Sequence, residues 1–414
     1  MNTFSTVFLA ALALATLMRL WLGSRHLRHI RAHRAAVPAE FAGQIDLAAH
    51  QRAADYTCAK TRLDMVNVAA EAVLLLALTL GGGLQALHEI SAAWLPEGIA
   101  RGLALIVLVA VVMGVFEAPF NLYRTFRIEE HFGFNKMTLG LYLADTLKSL
   151  LVAALFGMPL AACVLWLMDT MGSLWWLYAW GVWTVFNLFM LAVYPTWIAP
   201  LFNKFSPLQD AALKQRVERL LARCGFKVKG LMVMDGSRRS SHGNAYFTGF
   251  GRSKRIVFFD TLLSRLEPPE VEAVLAHELG HFKLRHVVKR MAWIFGASFG
   301  FLWLLGHLMT QDWFFHGLGV ATPSTAMALI LFFMIMPSFT FPLQPLLSMY
   351  SRRHEFEADR YAAQHSDARA LVSALVKLYQ DNASTLTPDP LHSVFYDSHP
   401  PAPLRIARLL QAAA

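Results

Sequence analysis

His277, Glu278 and His281 stand together in the run Ala276-His277-Glu278-Leu279-Gly280-His281. On an α-helix, side chains four residues apart share a face, so both imidazoles can turn toward one ion. Glu278 is too close to His277 in sequence to complete the same tetrahedron comfortably. It is better placed to hold a water at the metal and act as its base. Zinc suits imidazole and carboxylate donors and needs no redox partner. A catalytic zinc takes three protein ligands and keeps one position open. The third ligand is expected far downstream, at Glu355 in Ser351-Arg352-Arg353-His354-Glu355-Phe356-Glu357-Ala358-Asp359, with His354 as the alternative. Asp359 shares a helix face with Glu355 and can accept the second ring N–H of a ligand histidine, fixing its tautomer. Glu357 falls off that face. The pattern predicts one Zn2+ per chain.

The scaffold that must hold these residues is not that of an ordinary soluble protein. Of 414 residues, 56% are hydrophobic and only 16% charged, against roughly a quarter charged in soluble domains. Apolar runs near the ~20 residues that cross a bilayer fall at about 4–22, 64–83, 101–122, 148–169, 174–198, 289–310 and 324–348. The first reads as a retained span, because Arg19, Arg25, Arg28, Arg31 and Arg34 follow its apolar core and no basic region precedes it. The connections 84–100, 170–173 and 311–323 contain no Lys or Arg, while 23–63, 123–147, 199–288 and the tail after 349 contain several. With seven spans, the positive-inside rule puts the N-terminus outside and the metal motif and C-terminus in the cytoplasm. A net charge of +9 is explained by this topology; no basic-aromatic groove motif points to nucleic acid. Cys58, Cys163 and Cys224 have no CxxC spacing and read as small buried hydrophobes.

The expected fold is therefore predominantly α: seven transmembrane helices with a small α+β cytoplasmic zinc-metallopeptidase domain. The chain divides near Pro200 into an N-terminal membrane domain, 1–202, and a metallopeptidase domain, 203–414, which includes the last two spans. Residues 209–224 have helical spacing. Leu231–Met234, Ala245–Phe250 and Ile256–Phe259 read as strands, the last two joined as a hairpin through Gly251-Arg252-Ser253. Pro268-Pro269 opens the helix of the metal motif. Pro337, Pro342 and Pro345 should bend the last span as it delivers Glu355. Glu117 and Asp145 either line an internal cavity or sit at an interface.

The two metal motifs resemble those of the type I CAAX prenyl endopeptidases and of their relative, the heat-shock membrane protease. Phe116-Glu117-Ala118-Pro119, Phe126-Arg127-Ile128-Glu129-Glu130 and Phe132-Gly133-Phe134-Asn135-Lys136 are similar to the N-terminal region of the former. His242-Gly243-Asn244-Ala245-Tyr246-Phe247 resembles its substrate-strand segment, and Ser398-His399-Pro400 with Arg405 its C-terminal signature. The resemblance implies peptide-bond hydrolysis, an intramembrane chamber, His399 helped by Arg405 as stabiliser of the oxyanion, and a substrate strand paired along Asn244 and Ala245.

The partners expected are a peptide or protein substrate, lipidated or not, and the lipid bilayer; no oligomeric signature stands out. The eukaryotic family trims prenylated CAAX tails; a bacterial inner-membrane homologue with a maturation or quality-control role is compatible with this sequence, and the expected location is a bacterial inner membrane. Two readings compete with an interfacial endopeptidase. A true intramembrane protease would carry its motif inside an apolar span, whereas Lys283, Arg285, Lys289 and Arg290 follow this one. A metal-binding transporter would have no need of Glu278.

Overall fold

The structure, a computed structural model, describes residues 2–248 and 255–412. Helix α1 (Thr3–Ala32) starts where the Asn2 side chain accepts from the Ser5 backbone N–H at 3.0 Å. Its buried residues Phe8, Leu12, Ala15 and Leu22 recur at helical spacing. It packs along α2 (Leu47–Leu78), which Asp46 caps, and α2 bends by 55° into α3 (Gly83–Trp94). The wall continues with α4 (Ile99–Tyr123), α5 (Leu139–Thr170), α6 (Trp175–Val193) and the short α7 (Ala199–Phe202). Gly172, with φ of 57°, makes the tight turn between α5 and α6. Between α6 and α7 the chain passes through a π-helical turn, Tyr194–Ile198. Pro195 lies in that turn and has no N–H to give to a regular ladder.

The second half opens with β1 (Phe205–Pro207), α8 (Ala211–Cys224) and β2 (Gly230–Met234). Strands β3 (Ala245–Thr248) and β4 (Arg255–Phe259) follow, then the short α9 (Asp260–Leu263). The sheet has the order β1-β2-β4-β3. β2 and β4 are parallel, with Leu231 opposite Ile256, and β3 is antiparallel to β4, with Ala245 opposite Phe258. The expected hairpin partners do pair; their connection, including Phe250 and Gly251-Arg252-Ser253, lies outside the described residues. β3 ends the sheet and leaves one edge unpaired by any described strand.

Helices α10 (Pro268–Lys283), α11 (His286–Leu308), α12 (Asp312–Gly317), α13 (Thr325–Thr340), α14 (Gln344–His365), α15 (Ala368–Asp381), α16 (Pro390–Tyr396) and α17 (Ala402–Ala412) complete the chain. Ile256 and Phe258 of the sheet, Val217 and Leu220 of α8, and Leu275 and Leu279 of α10 share one buried core. Burying side chains of this size stabilises by about 1.5–3 kcal/mol each.

Among the described residues, six helices are long and apolar enough to cross a membrane, and the bent α2–α3 pair brings the number to seven when it is counted as one span. The protein is a multi-pass membrane protein, mostly helical, as the apolar runs imply. The last crossing differs from a simple bent helix. α13 ends at Thr340, Phe341–Leu343 forms a 3-10 turn, and α14 restarts with Pro345 in its first turn. Pro342 and Pro345 remove donors that a continuous ladder would need. Asp145 is tied rather than free: Arg239 donates to it from Nε at 2.8 Å and Nη2 at 3.2 Å, linking α5 to the segment before β3.

Candidate metal centre

Two helices carry the cluster. α10 begins with Glu267 as its cap, Pro268 in its first turn, and a reciprocal bond from the Glu267 backbone N–H to Glu270 at 2.7 Å. The same Glu270 carboxylate accepts from Ser373 at 2.7 Å and Lys377 at 2.8 Å, so the helix start is fixed to α15. α14 lies against α10, and the contact is close because both helices are small where they meet. A Cβ added at Gly280 would lie 3.0 Å from Ala358 Cα, 3.1 Å from Tyr361 Cβ and 3.2 Å from the Ala358 carbonyl oxygen. Gly280 thus has a packing reason to be glycine.

Across this seam His277 Nε2 and His281 Nε2 stand 3.2 Å apart. Glu355 Oε2 is 3.4 Å from His277 Nε2, and Glu355 Oε1 is 3.4 Å from His281 Nε2. Tetrahedral coordination with bonds of about 2.0–2.1 Å puts neighbouring donors about 3.3–3.4 Å apart. The two imidazole nitrogens and the Glu355 carboxylate, which meets each of them through a different oxygen, are therefore spaced as the ligands of a zinc-sized site would be. Glu355 Oε2 is buried without a geometrically satisfactory hydrogen bond, as an atom reserved for a cation would be. Two nitrogens and one oxygen also match the chemistry zinc prefers, so the residues fit the ion.

The supporting groups are closely held. His277 Nδ1 lies 2.9 Å from Asp359 Oδ1, and the carboxylate can only accept, so Nδ1 carries the proton and Nε2 faces the cluster. Arg405 donates to both Asp359 oxygens, from Nε at 2.9 Å and Nη2 at 2.6 Å, while its Nη1 is 3.9 Å from Glu355 Oε2. Burial opposes the charge of Arg405, but the bond to Asp359 outweighs it and raises the guanidinium above its ordinary range. Burial likewise opposes a cation at His277; its hydrogen bonds to Asp359 and Glu355 outweigh that and raise it to about 9.

Of the other residues singled out in the sequence, Glu278 is half-buried and makes no hydrogen bond or ion pair among the described residues. His399 Nε2 lies 3.4 Å from Glu355 Oε1 and its Nδ1 3.0 Å from Ser398 Oγ. Its side chain is 62% accessible, yet that access is into a cavity of about 560 Å³ which it lines with Lys60, Tyr396 and Asp397. Enclosure there, with Arg405 and the two other imidazoles nearby, lowers its pKa despite the opposing Glu355. Asn244 and Ala245 are not joined to the metal cluster by any hydrogen bond or ion pair among the described residues. They open edge strand β3, which reaches α10 through a ring contact of Phe247 with Phe282 at 4.9 Å. Lys60, lining the His399 cavity, also lines a second cavity of about 450 Å³ that includes Asn244.

His286 and Glu357 were not expected near the cluster. His286 Nδ1 is 2.9 Å from His281 Nδ1, and its Nε2 is 3.0 Å from Glu357 Oε2. The available signal was a buried-helix histidine five residues past His281, on the far side of a break in the helix.

Two family models cover the chain. Residues 26–204 match the model described as CAAX prenyl protease N-terminal, five membrane helices, and residues 207–413 match peptidase family M48. A Homo sapiens protein named CAAX prenyl protease 1 homolog is 35% identical over 350 residues, 75% of this chain and 74% of that protein. The Caenorhabditis elegans homologue of the same name is 31% identical over 433 residues, covering 97% of each. The crystal structure of Ste24p from S. mikatae superposes with a TM-score of 0.92 at 29% identity, covering 99% of both chains.

Proposed function

This chain belongs to peptidase family M48 and is a membrane metalloendopeptidase; we propose that it is zinc-dependent and cleaves substrates near their C-termini at the cytoplasmic face of the bilayer. One observation carries the proposal: two imidazole nitrogens 3.2 Å apart on one helix, a carboxylate from a second helix with one oxygen 3.4 Å from each, and a further carboxylate behind His277.

In this reading His277, His281 and Glu355 hold one Zn2+ per chain, and Asp359 holds His277 in the tautomer that leaves Nε2 free to bind. A zinc ion bound there supplies a Lewis acid that polarises the scissile carbonyl and acidifies water. Glu278, without a competing hydrogen bond or ion pair among the described residues, accepts the proton of the attacking water, then returns it to the leaving amine nitrogen. His399, neutral because its pKa is lowered, donates an N–H toward the oxygen that becomes negative. Arg405 commits Nε and Nη2 to Asp359, so its contribution is a fixed positive charge beside the donors. A substrate strand adds to the edge of β3 left unpaired by any described strand, beside Asn244 and Ala245.

The names of the relatives support a CAAX-type tail, prenylated or not, as substrate. The Lys- and Arg-free connections support an N-terminus outside and a metal centre inside.

Glu278→Gln is the direct test, with purified protein in detergent. Zinc content should stay at one ion while peptide cleavage falls roughly a hundred- to ten-thousand-fold. Undiminished cleavage would remove Glu278 as the base. A metal-binding transporter would show no cleavage in either form.

A further inference from the structure

The outer side of His281 is as constrained as that of His277, by different means. His286 Nδ1 faces His281 Nδ1 at 2.9 Å, His286 Nε2 faces Glu357 Oε2 at 3.0 Å, and Arg353 donates to the other Glu357 oxygen at 3.1 Å. The His286 ring is buried and stacked on that of His354, centroids 4.0 Å apart and planes within 7°. Tyr350 meets His354 at 4.3 Å, nearly edge-on. His286 reaches this place because α10 stops at Lys283 and Arg285 takes a left-handed φ of 57°, which redirects the chain so that α11 starts with His286 folded back toward His281.

We propose that His286 and Glu357 are positioning residues for His281, an inference that rests on the metal-centre reading above. The proton arrangement along this arm has one consistent sense. An ionised carboxylate can only accept, so His286 Nε2 carries the proton. Neutral His286 then offers the Nδ1 lone pair, His281 donates Nδ1–H into it, and His281 Nε2 keeps the lone pair that faces His277 and Glu355. Reversing any bond would place a proton on the nitrogen that must bind the ion. His277 is oriented by a carboxylate directly, His281 by a carboxylate acting through a second imidazole. Stacking on His354 sets the plane in which that second imidazole lies.

His286, His354 and Glu357 could be taken for a second metal site, since their donor atoms lie within 4.8 Å of one another. The ring geometry argues against it. Imidazole lone pairs lie in the ring plane, and two rings stacked face to face direct theirs along nearly parallel planes that do not meet at one ion.

The test uses the full chain in detergent and compares wild type with His286→Phe, His286→Gln, Glu357→Gln and His277→Ala. Zinc affinity is read by competition with a chromogenic chelator, stoichiometry by elemental analysis, and ligand geometry by the visible spectrum of the cobalt-substituted protein. His286→Phe keeps the stack on His354 but removes the acceptor. It should weaken zinc binding roughly ten- to a hundred-fold and alter the cobalt spectrum, the usual effect of losing an outer partner. His286→Gln restores an acceptor and should recover part of the loss, which a purely structural role would not produce. Glu357→Gln should fall between them. Unchanged affinity and spectrum in His286→Phe, with zinc lost in His277→Ala, would overturn the arm alone. Zinc retained in His277→Ala would overturn the metal centre beneath it. Two ions in wild type and one in His286→Phe would replace the arm with a second site.

Discussion

The seam between α10 and α14 and the array of membrane helices obey opposite packing rules. At the seam, backbone meets backbone over Gly280 and Ala358 with no room for a methyl group. In the array, the buried residues of α4 are Leu105 and Val109, those of α5 are Leu165, Leu167 and Met168, and α6 adds Trp175 and Ala179. These join Phe314 and Phe332 in one core at the end of the array away from the sheet. Toward the metal, the same helices carry few buried residues, and glycines such as Gly114 and Gly157 have no atom within 4 Å of an added Cβ. The array is packed at one end and has few buried residues elsewhere. The seam has to set donor atoms to within tenths of an ångström, and it does so by tight contact and buried charge.

The largest test of that contrast removes a charge from the seam. Asp359 and Arg405 are 5% and 7% accessible and joined by two hydrogen bonds. Asp359→Asn leaves a buried guanidinium without its partner and should destabilise the protein by about 3–5 kcal/mol, besides weakening zinc binding. The control is Asp55→Asn, at the ends of α1 and α2, where Arg34 and Asp55 are 40% and 49% accessible. Losing that exposed pair should cost about 1 kcal/mol or less. Thermal unfolding of both variants in one detergent decides it, and similar midpoints would mean the seam's buried charge is no anchor.

A proton can stand in for the metal at the seam, and this gives a pH dependence with a definite sign. In the metal-free chain His277 is raised to about 9. Its extra proton therefore stabilises the metal-free fold fully below its ordinary value of about 6.5, and that contribution is lost as pH rises through about 9. Zinc needs the same Nε2, so its apparent affinity should fall as pH drops below about 9, roughly tenfold per unit for one displaced proton. Between pH 9 and 7 the loss should approach a hundredfold, or about 2.7 kcal/mol. Chelator competition across that range checks it. A flat profile would show that the paired carboxylates do not hold a proton on His277.

Much of this contrast is legible in the residues themselves. His277 with His281, and Glu355 with Asp359, were found because both pairs sit four apart on regular helix, where spacing fixes direction. The crossings were legible from apolar runs, and the break before α14 from Pro342 and Pro345, although the sequence suggested a bend. His286 and Glu357 were not legible as partners. Glu357 follows Glu355 by two and points to the other side of α14, where only the position of α11 makes it useful. That position depends on Arg285 in a left-handed conformation, which nothing about an arginine announces. Gly280 carried a signal that helical spacing alone does not read: a glycine inside a helix, matched by Ala358 on a distant one.

The smallest expected effect bears on the comparison most directly, since it applies one change to both regions. Replacing glycine by alanine in a helix interior gains up to ~1 kcal/mol from the backbone wherever the methyl group finds room. At Gly157 on α5 nothing lies within 4 Å of the new Cβ, so Gly157→Ala should be neutral or slightly stabilising, with zinc affinity and cleavage unchanged. At Gly280 the same methyl meets the Ala358 backbone at 3.0 Å, a contact that no side-chain rotation relieves. Gly280→Ala should push α14 away, spread the donors of His277, His281 and Glu355, and cost about 1–3 kcal/mol as overpacking does, with weaker zinc binding. Chelator competition and thermal midpoints on the two variants give the comparison in one experiment. Equal behaviour would mean that the seam yields as readily as the membrane wall, and that the spacing of the donors is not set by helix contact.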